Sequence, residues 1–405
     1  MNVVFIVTSF WSFGELLIAV EFADELIKSG DKICFIAPPT HKNTILKKGY
    51  ICISLVPKSR QLNRILFNEV KYSFKPDLVI LSDFLNYNFA DRHYGITKED
   101  LNIFDTTLCT FDNFYWNYPR KCMDTYGFKS DIPKKIVLED YGARIVPCPI
   151  VNPDSVEGEN VYTYSLISDL VDISNLEKRK NRIKYGFDND EDKIILVSYA
   201  KWQNEHIEDR GVSEFVKLSN SFFNKLISKL AEEFHIICVG SKEKIQGDNI
   251  HHYSSVHTET FDELVSISNI YISRNMTSTS MVRIALSGVR CVNIINSISD
   301  IGTIEKIAAK DEFNMTIKPY RYLMFPVGWY SFLKPIFDNN PYAELIIQIE
   351  QFEIERGIET IRDILYGDNS DHTILTNKLR RKLSELMTPK EIVRSILSYD
   401  LEGKR

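Results

Sequence analysis

Short, almost wholly apolar runs constrain this chain more than any other feature. They are Val3 to Val7, Lys32 to Ala37 (KICFIA), Leu78 to Leu81, Lys193 to Ser198 (KIILVS), Phe234 to Gly240 (FHIICVG) and Ile270 to Ile272. A strand with one wet face alternates apolar and polar residues. A continuous apolar run bounded by turns is a strand covered on both faces, as in a parallel sheet. Helical patterns separate the runs. From Glu15 to Ser29, residues Leu16, Ala19, Val20, Ala23, Leu26 and Ile27 share one face, and Gly30 follows as a C′ residue. Gln61 to Ser73 and Ser213 to Glu233 repeat this amphipathic spacing. Tyr50 to Val56, Thr106 to Phe111, Ile136 to Leu138 and Ala143 to Val146 read as further strands.

Strand, helix, strand in alternation specifies an α/β fold with parallel sheets. At 405 residues the chain is too long for one ordinary core. The runs fall into two series, separated by the Pro-rich stretch Pro147 to Pro153. The expected architecture is two Rossmann-like, doubly wound domains, 1–150 and 151–405, facing each other across a cleft. The tail from Ala343 to Tyr399 reads as almost all helical, with one break at Gly367-Asp368-Asn369.

Bulk properties exclude several functions. A net charge of −6 argues against general nucleic-acid binding, which favours basic surfaces. The seven cysteines are scattered without a CxxC pair, which suggests reduced thiols and a cytoplasmic protein. The opening apolar run ends by Ser9 and lacks a cationic leader, so it reads as a strand rather than a signal peptide. No apolar stretch approaches the roughly 18 residues of a membrane span. The eight histidines show no metal-binding spacing, so no metal site is expected. Asp188 to Asp192 contains a DxD pattern, which reads as a solvated turn ahead of a strand.

In doubly wound sheets, ligands bind at the carboxyl ends of the strands. The loops there carry the chemistry. From Ser268 to Asn293, a strand, a hydroxyl-rich loop, a helix and a second strand succeed one another. Thr277, Ser278, Thr279 and Ser280 are placed to cap the helix or to hydrogen-bond an anion at its positive end. The ordinary alternative is a plain N-cap. Arg274 adds a cation whose planar fork suits phosphate. Ser198, Lys201 and Gly240 end neighbouring strands. Glu15, Asp83 and Asp112 are carboxylates at strand ends or at the first helix start, suited to take a proton or orient a hydroxyl. A helix N-terminus favours the ionised form of Glu15. Tyr199 and Trp202, the set Phe114, Tyr115, Trp116 and Tyr118, and the set Phe325, Trp329, Tyr330 and Phe332 are aromatic walls or packing residues.

Two segments resemble the GT-B glycosyltransferases. Phe13-Gly14-Glu15-Leu16, with the helix ending at Ser29-Gly30, is similar to the family's opening loop and first helix. Glu15 stands where many members have a catalytic His. Phe261 to Asn293 is similar to the donor-binding run, with Gly288 and Ser280 matching. Met276, Thr277 and Thr279 replace its loop glycines, Arg283 its ribose-binding acid, and Arg290 its proline. The resemblance implies that His257 and Thr258 hold a base; Arg283, in place of the acid, serves the diphosphate beside Arg274 or forms an ion pair on the helix surface. It implies a metal-independent transferase moving sugar from a nucleotide-diphospho sugar, UDP or dTDP, to a hydroxyl or amine. The sugar nucleotide is a co-substrate and no further cofactor is expected. The acceptor is a small molecule, glycan or peptide, and a homodimer is an allowed assembly. Alternatives are a nucleotide-sugar epimerase or hydrolase, or a catalytically silent partner protein.

Overall fold

The computed structural model describes residues 1–10, 13–82, 87–113, 115, 141–170, 174–200, 213–241, 244–298, 300–310, 313 and 336–403. By chain contacts it divides into two compact units. The described residues of the first lie within 1–115, 141–168 and 381–403, and those of the second within 169–380.

In chain order the first unit begins β1 (Asn2–Ile6), α1 (Gly14–Lys28), β2 (Lys32–Ala37), α2 (Lys42–Lys47), β3 (Ile51–Ser54) and α3 (Arg60–Ser73). It continues with β4 (Leu78–Leu81), α4 (Tyr87–Tyr94), α5 (Lys98–Leu101), β5 (Thr107–Phe111), β6 (Ala143–Cys148) and β7 (Val161–Ser165). The strands form one parallel sheet ordered β3-β2-β1-β4-β5-β6-β7. Order reverses between β1 and β4, where Ile6 sits opposite Leu81.

The central strands are buried on both faces, as their unbroken apolar runs require. Val3, Val4, Phe5, Ile6 and all of β4 are fully or almost fully buried. Each such side chain contributes about 1.5–3 kcal/mol. Phe5 stacks on Phe35 at 5.1 Å and Phe111 at 6.5 Å, and Phe22 of α1 meets Phe111 edge-on at 5.4 Å. This aromatic layer fixes α1 on the sheet and sets its N-terminus, with Glu15, at the carboxyl edge.

The second unit contains α6 (Asn175–Lys184), β8 (Ile194–Ser198), α7 (Ser213–Leu230), β9 (His235–Val239), β10 (Ile250–Tyr253) and α8 (Thr258–Ile267). There follow β11 (Ile270–Ser273), α9 (Thr279–Leu286), β12 (Arg290–Ile295), α10 (Ile301–Lys310), α11 (Pro341–Glu344), β13 (Ile346–Glu350) and α12 (Ile354–Tyr366). Its parallel sheet is ordered β10-β9-β8-β11-β12-β13. Order reverses between β8 and β11, where Val197 sits opposite Ile272. The division between the units falls within α13 (Ser370–Ser384), and α14 (Pro389–Gly403) packs on α1.

Three expectations change. The first unit does not end at residue 150. Pro147 lies inside β6, Cys148, Ile150 and Val151 are buried, and β7 pairs with β6 at Arg144↔Val161 through Cys148↔Ser165. The Pro-rich stretch is therefore core, and proline is tolerated where its missing N–H is not needed by the ladder. The tail is not all helix, because Ile346–Glu350 adds β13 beside β12. Nor does it belong wholly to the second unit. Lys382 pairs with Asp154 of the first. The helix break at Gly367 to Asn369 stands between α12 and α13. The acidic turn closes on itself, with Asn189 Nδ2 donating to Asp192 Oδ1 at 2.9 Å. The run at 136–138 lies outside the described residues.

His372, in the first turn of α13, gives a pH prediction. It is buried, and its Nε2 has no hydrogen-bond partner among the described residues. Burial, then the nearby Arg290 charge, holds the imidazole below its ordinary range, against a backbone bond at Val289. The folded state therefore prefers neutral His372. Its contribution is fully present above the unfolded pKa of about 6.5 and is lost as pH falls towards the depressed folded value. Thermal melts between about pH 7.5 and 5 should fall more steeply for the native chain than for His372→Gln. Equal slopes would remove His372 from the account.

Candidate active site

In the second unit, the carboxyl edge at the β8/β11 reversal gathers most of the expected residues. Ser198 ends β8, and its hydroxyl lies 2.5 Å from the Tyr271 hydroxyl. Burial pushes Tyr271 up to about 12, against its bonds to Ser198 and Ser273. On the next strand, Gly240 has φ +81, and a Cβ there would lie 2.8 Å from the Tyr199 carbonyl oxygen. Only glycine fits both the left-handed backbone and that approach. Gly240 N–H donates to Tyr253 O at 2.8 Å, tying the end of β9 to β10.

The loop after β11 is held by its own side chains. Ser273 Oγ accepts from Asn275 N–H at 3.2 Å. Asn275 Oδ1 accepts from the Thr277 N–H at 3.2 Å and the Thr277 hydroxyl at 2.9 Å. Ser278 caps α9, accepting from Met281 N–H at 3.0 Å. Tyr342 O–H donates to Met276 O at 2.7 Å, bracing the loop from α11. Thr279 is buried and Ser280 half-buried at the first turn. The hydroxyls thus do what N-caps and local turns do, and the loop is preformed.

Arg274 lies inside, 1% exposed. Its Nη1 donates to Asn220 Oδ1 of α7 at 2.7 Å, and its guanidinium stands 4.7 Å from the Phe223 ring centre and 5.8 Å from that of Tyr199. Burial pushes it down to about 10, so it stays charged at neutral pH. Tyr199 is therefore a packing partner of this cation. Asn220 and Phe223, spaced on one face of α7, were not legible as site residues, because nothing in a helix pattern says which strand end it covers.

Arg283 Nη1 lies 3.5 Å from Asp169 O. Burial pushes the Asp262 carboxyl up, and the Arg283 charge pulls it back. His257 and Thr258 are exposed at the start of α8, where His257 is the N-cap residue, after β10. Lys201 and Trp202 lie outside the described residues.

In the first unit, the carboxyl edge is lined by buried polar groups. Thr8 and Ser9 after β1, and Ser82 after β4, have at most 2% exposure. His41 Nε2 is 2.6 Å from Ser9 O, and Phe13 packs edge-on against His41 at 4.6 Å. Glu15, in the first turn of α1, is 9% exposed. Asp112 follows β5 and is fully buried, with Arg144 Nη1 of β6 at 3.8 Å. Arg144 was not singled out by sequence, since the pairing depends on the β5–β6 register. Asp83, Phe114, Trp116, Tyr118, Phe325, Trp329, Tyr330 and Phe332 lie outside the described residues. Tyr115 is buried and bonded to Glu157, so it packs.

Among the described residues no group of His, Cys, Asp or Glu is placed to hold a metal ion. Nor is any described helix long and apolar enough to cross a membrane.

Each unit is a doubly wound parallel sheet with a polar carboxyl edge, and the chain shares the GT-B fold of solved structures. UGT89C1 of Arabidopsis thaliana, complexed with UDP, superposes with a TM-score of 0.62 at 9% identity, over 98% of this chain and 99% of that one. The spinosyn forosaminyltransferase SpnP does so with a TM-score of 0.58 at 10% identity, over 98% and 99%. The calicheamicin glycosyltransferase CalG4 does so with a TM-score of 0.53 at 11% identity, over 100% and 99%. At such identities the likeness is one of fold. By sequence, the chain belongs to the family described as "Family of unknown function (DUF6365)", whose model matches residues 22–403. No curated protein matches the chain.

Proposed function

We propose that the protein is a glycosyltransferase that moves a sugar from a nucleotide-diphospho sugar, without a metal, to an acceptor hydroxyl or amine. The observation that carries this reading is the preformed hydroxyl loop 273–280 at the reversal point of the second sheet, on a GT-B fold. One solved structure of that fold, the spinosyn rhamnosyltransferase SpnG, is a complex with thymidine diphosphate, and another, UGT89C1, is a complex with UDP. In this chain the diphosphate meets the N-terminal N–H groups of α9, with Ser280 and the charge of Arg274 behind them. Glu15 takes the acceptor proton. Asp112 orients the acceptor, and Asp83 is the other carboxylate suited to either role.

The test is a thermal-shift series with UDP, dTDP, GDP, ADP and CMP. A ligand held at about 100 times its Kd stabilises by about 2.7 kcal/mol. A shift of several degrees with UDP or dTDP alone is the expected result. No shift with any of them would favour the silent partner protein, a reading that Arg283 and the substituted loop glycines support. Product analysis with donor alone then separates a transferase from an epimerase or hydrolase, which consume the donor without an acceptor.

A further inference from the structure

We propose that Arg144 is a positioning residue that holds Asp112 as a carboxylate, fixed in direction, at the carboxyl edge of the first sheet. The inference deepens the transferase reading and rests on its role for Asp112. Three observations carry it. First, Asp112 is 0% exposed, and a buried carboxylate needs an opposite charge or strong hydrogen bonds to stay ionised. Second, Arg144 supplies the charge from the adjoining strand. Thr110 pairs with Arg144 across β5 and β6, and Asp112 follows two residues on, its N–H donating to Ile145 O at 2.8 Å. Its Nη1 stands 3.8 Å from Asp112 Oδ2 and has no hydrogen-bond partner among the described residues, so its charge is directed at Asp112.

Third, the surroundings fix both partners. Tyr115 N–H donates to Asp112 O at 3.3 Å, closing a turn in which Tyr115 has φ +50. The Tyr115 hydroxyl donates to Glu157 O and accepts from Glu157 N–H, each at 3.0 Å. Arg144 N–H donates to Asn160 O at 2.9 Å, and Gly158, with φ +123, turns the chain beside the guanidinium. The stub after β5 and the segment before β7 are therefore tied to each other and to the strand that carries Arg144. At 3.8 Å the pair is too long for a hydrogen bond, so it sets charge and direction rather than a tight fork.

The experiment uses the full chain and a double-mutant cycle of Arg144→Met and Asp112→Asn, read first by melting temperature. Arg144→Met is expected to melt several degrees lower, and Asp112→Asn in that background to recover most of the loss, because the buried negative charge that the cation faced is gone. Additive shifts would overturn the inference, and this arm needs no substrate. The second arm is kinetic. Arg144→Met is expected to lower kcat on the order of a hundredfold with little change in KM, as a misdirected group does. Arg144→Lys, which keeps the charge, is expected to retain most of kcat. An Arg144→Met enzyme with native kcat would also overturn it. A native chain that turns over no donor sinks the transferase reading, while the melting cycle still decides whether Arg144 holds Asp112.

Discussion

Glu15→Gln is expected to lower sugar transfer by about 10²–10⁴-fold while leaving diphosphate binding unchanged. The substitution keeps the shape of the side chain and removes only its capacity to accept a proton. The residue lies in the first turn of α1 and is 9% exposed. Its position is set by the helix, which Phe22 fixes against Phe5 and Phe111, so the glutamine should occupy the same place. Some stability will be lost, because a carboxylate at a helix N-terminus is favoured by about 0.3–1 kcal/mol. The kinetic loss corresponds to about 2.7–5.4 kcal/mol in the transition state, so weakened folding does not account for it. Initial rates at saturating donor and acceptor measure the effect, and the thermal shift with UDP or dTDP serves as the binding control. A Glu15→Gln enzyme with full turnover would place the base elsewhere, and Asp112→Asn would be the next variant.

The central strands of both sheets were legible because parallel strands buried on two faces leave continuous apolar runs. Val3 to Val7 and Lys193 to Ser198 are such runs, and they became β1 and β8. Edge strands carry less of that signal. Val161–Ser165 mixes tyrosines with hydroxyls, and Ile346–Glu350 sits within a helical pattern, so β7 and β13 emerged only from pairing. The Pro-rich stretch misled for a related reason: prolines mark a linker only where the residues between them are exposed, and Cys148 and Ile150 are core. The hydroxyl loop was visible as a candidate, and its Ser278 cap is a local fact that residue spacing can supply. The partners of Arg274 and Asp112 were not. Asn220 and Phe223 come from 54 and 51 residues away on α7, and Arg144 from the strand beside β5. Such contacts depend on helix docking and sheet register, which one sequence does not state.

Arg274→Met is expected to weaken binding of UDP or dTDP by about tenfold or more, and Arg274→Lys to weaken it less. The guanidinium is 1% exposed and packed against Phe223 and Tyr199, so it acts through its field rather than by contact. It stands one residue beyond β11, at the strand end where the sheet order reverses. Burial brings it down to about 10, well above neutral pH, so the charge persists. At an effective dielectric of about 20, a unit charge roughly 8 Å from a phosphate contributes about 2 kcal/mol. Methionine keeps much of the buried volume and removes the charge, whereas Arg274→Ala also leaves a cavity that costs about 2–5 kcal/mol. Titration calorimetry with each diphosphate, beside denaturant melts of the three variants, separates the field from the packing. If the methionine variant binds as tightly as the native chain, Arg274 is a prop for Tyr199 and α7. The α9 N–H groups and loop hydroxyls then hold the anion by themselves. If lysine restores binding that methionine loses, the donor site is tuned by a cation the donor never touches.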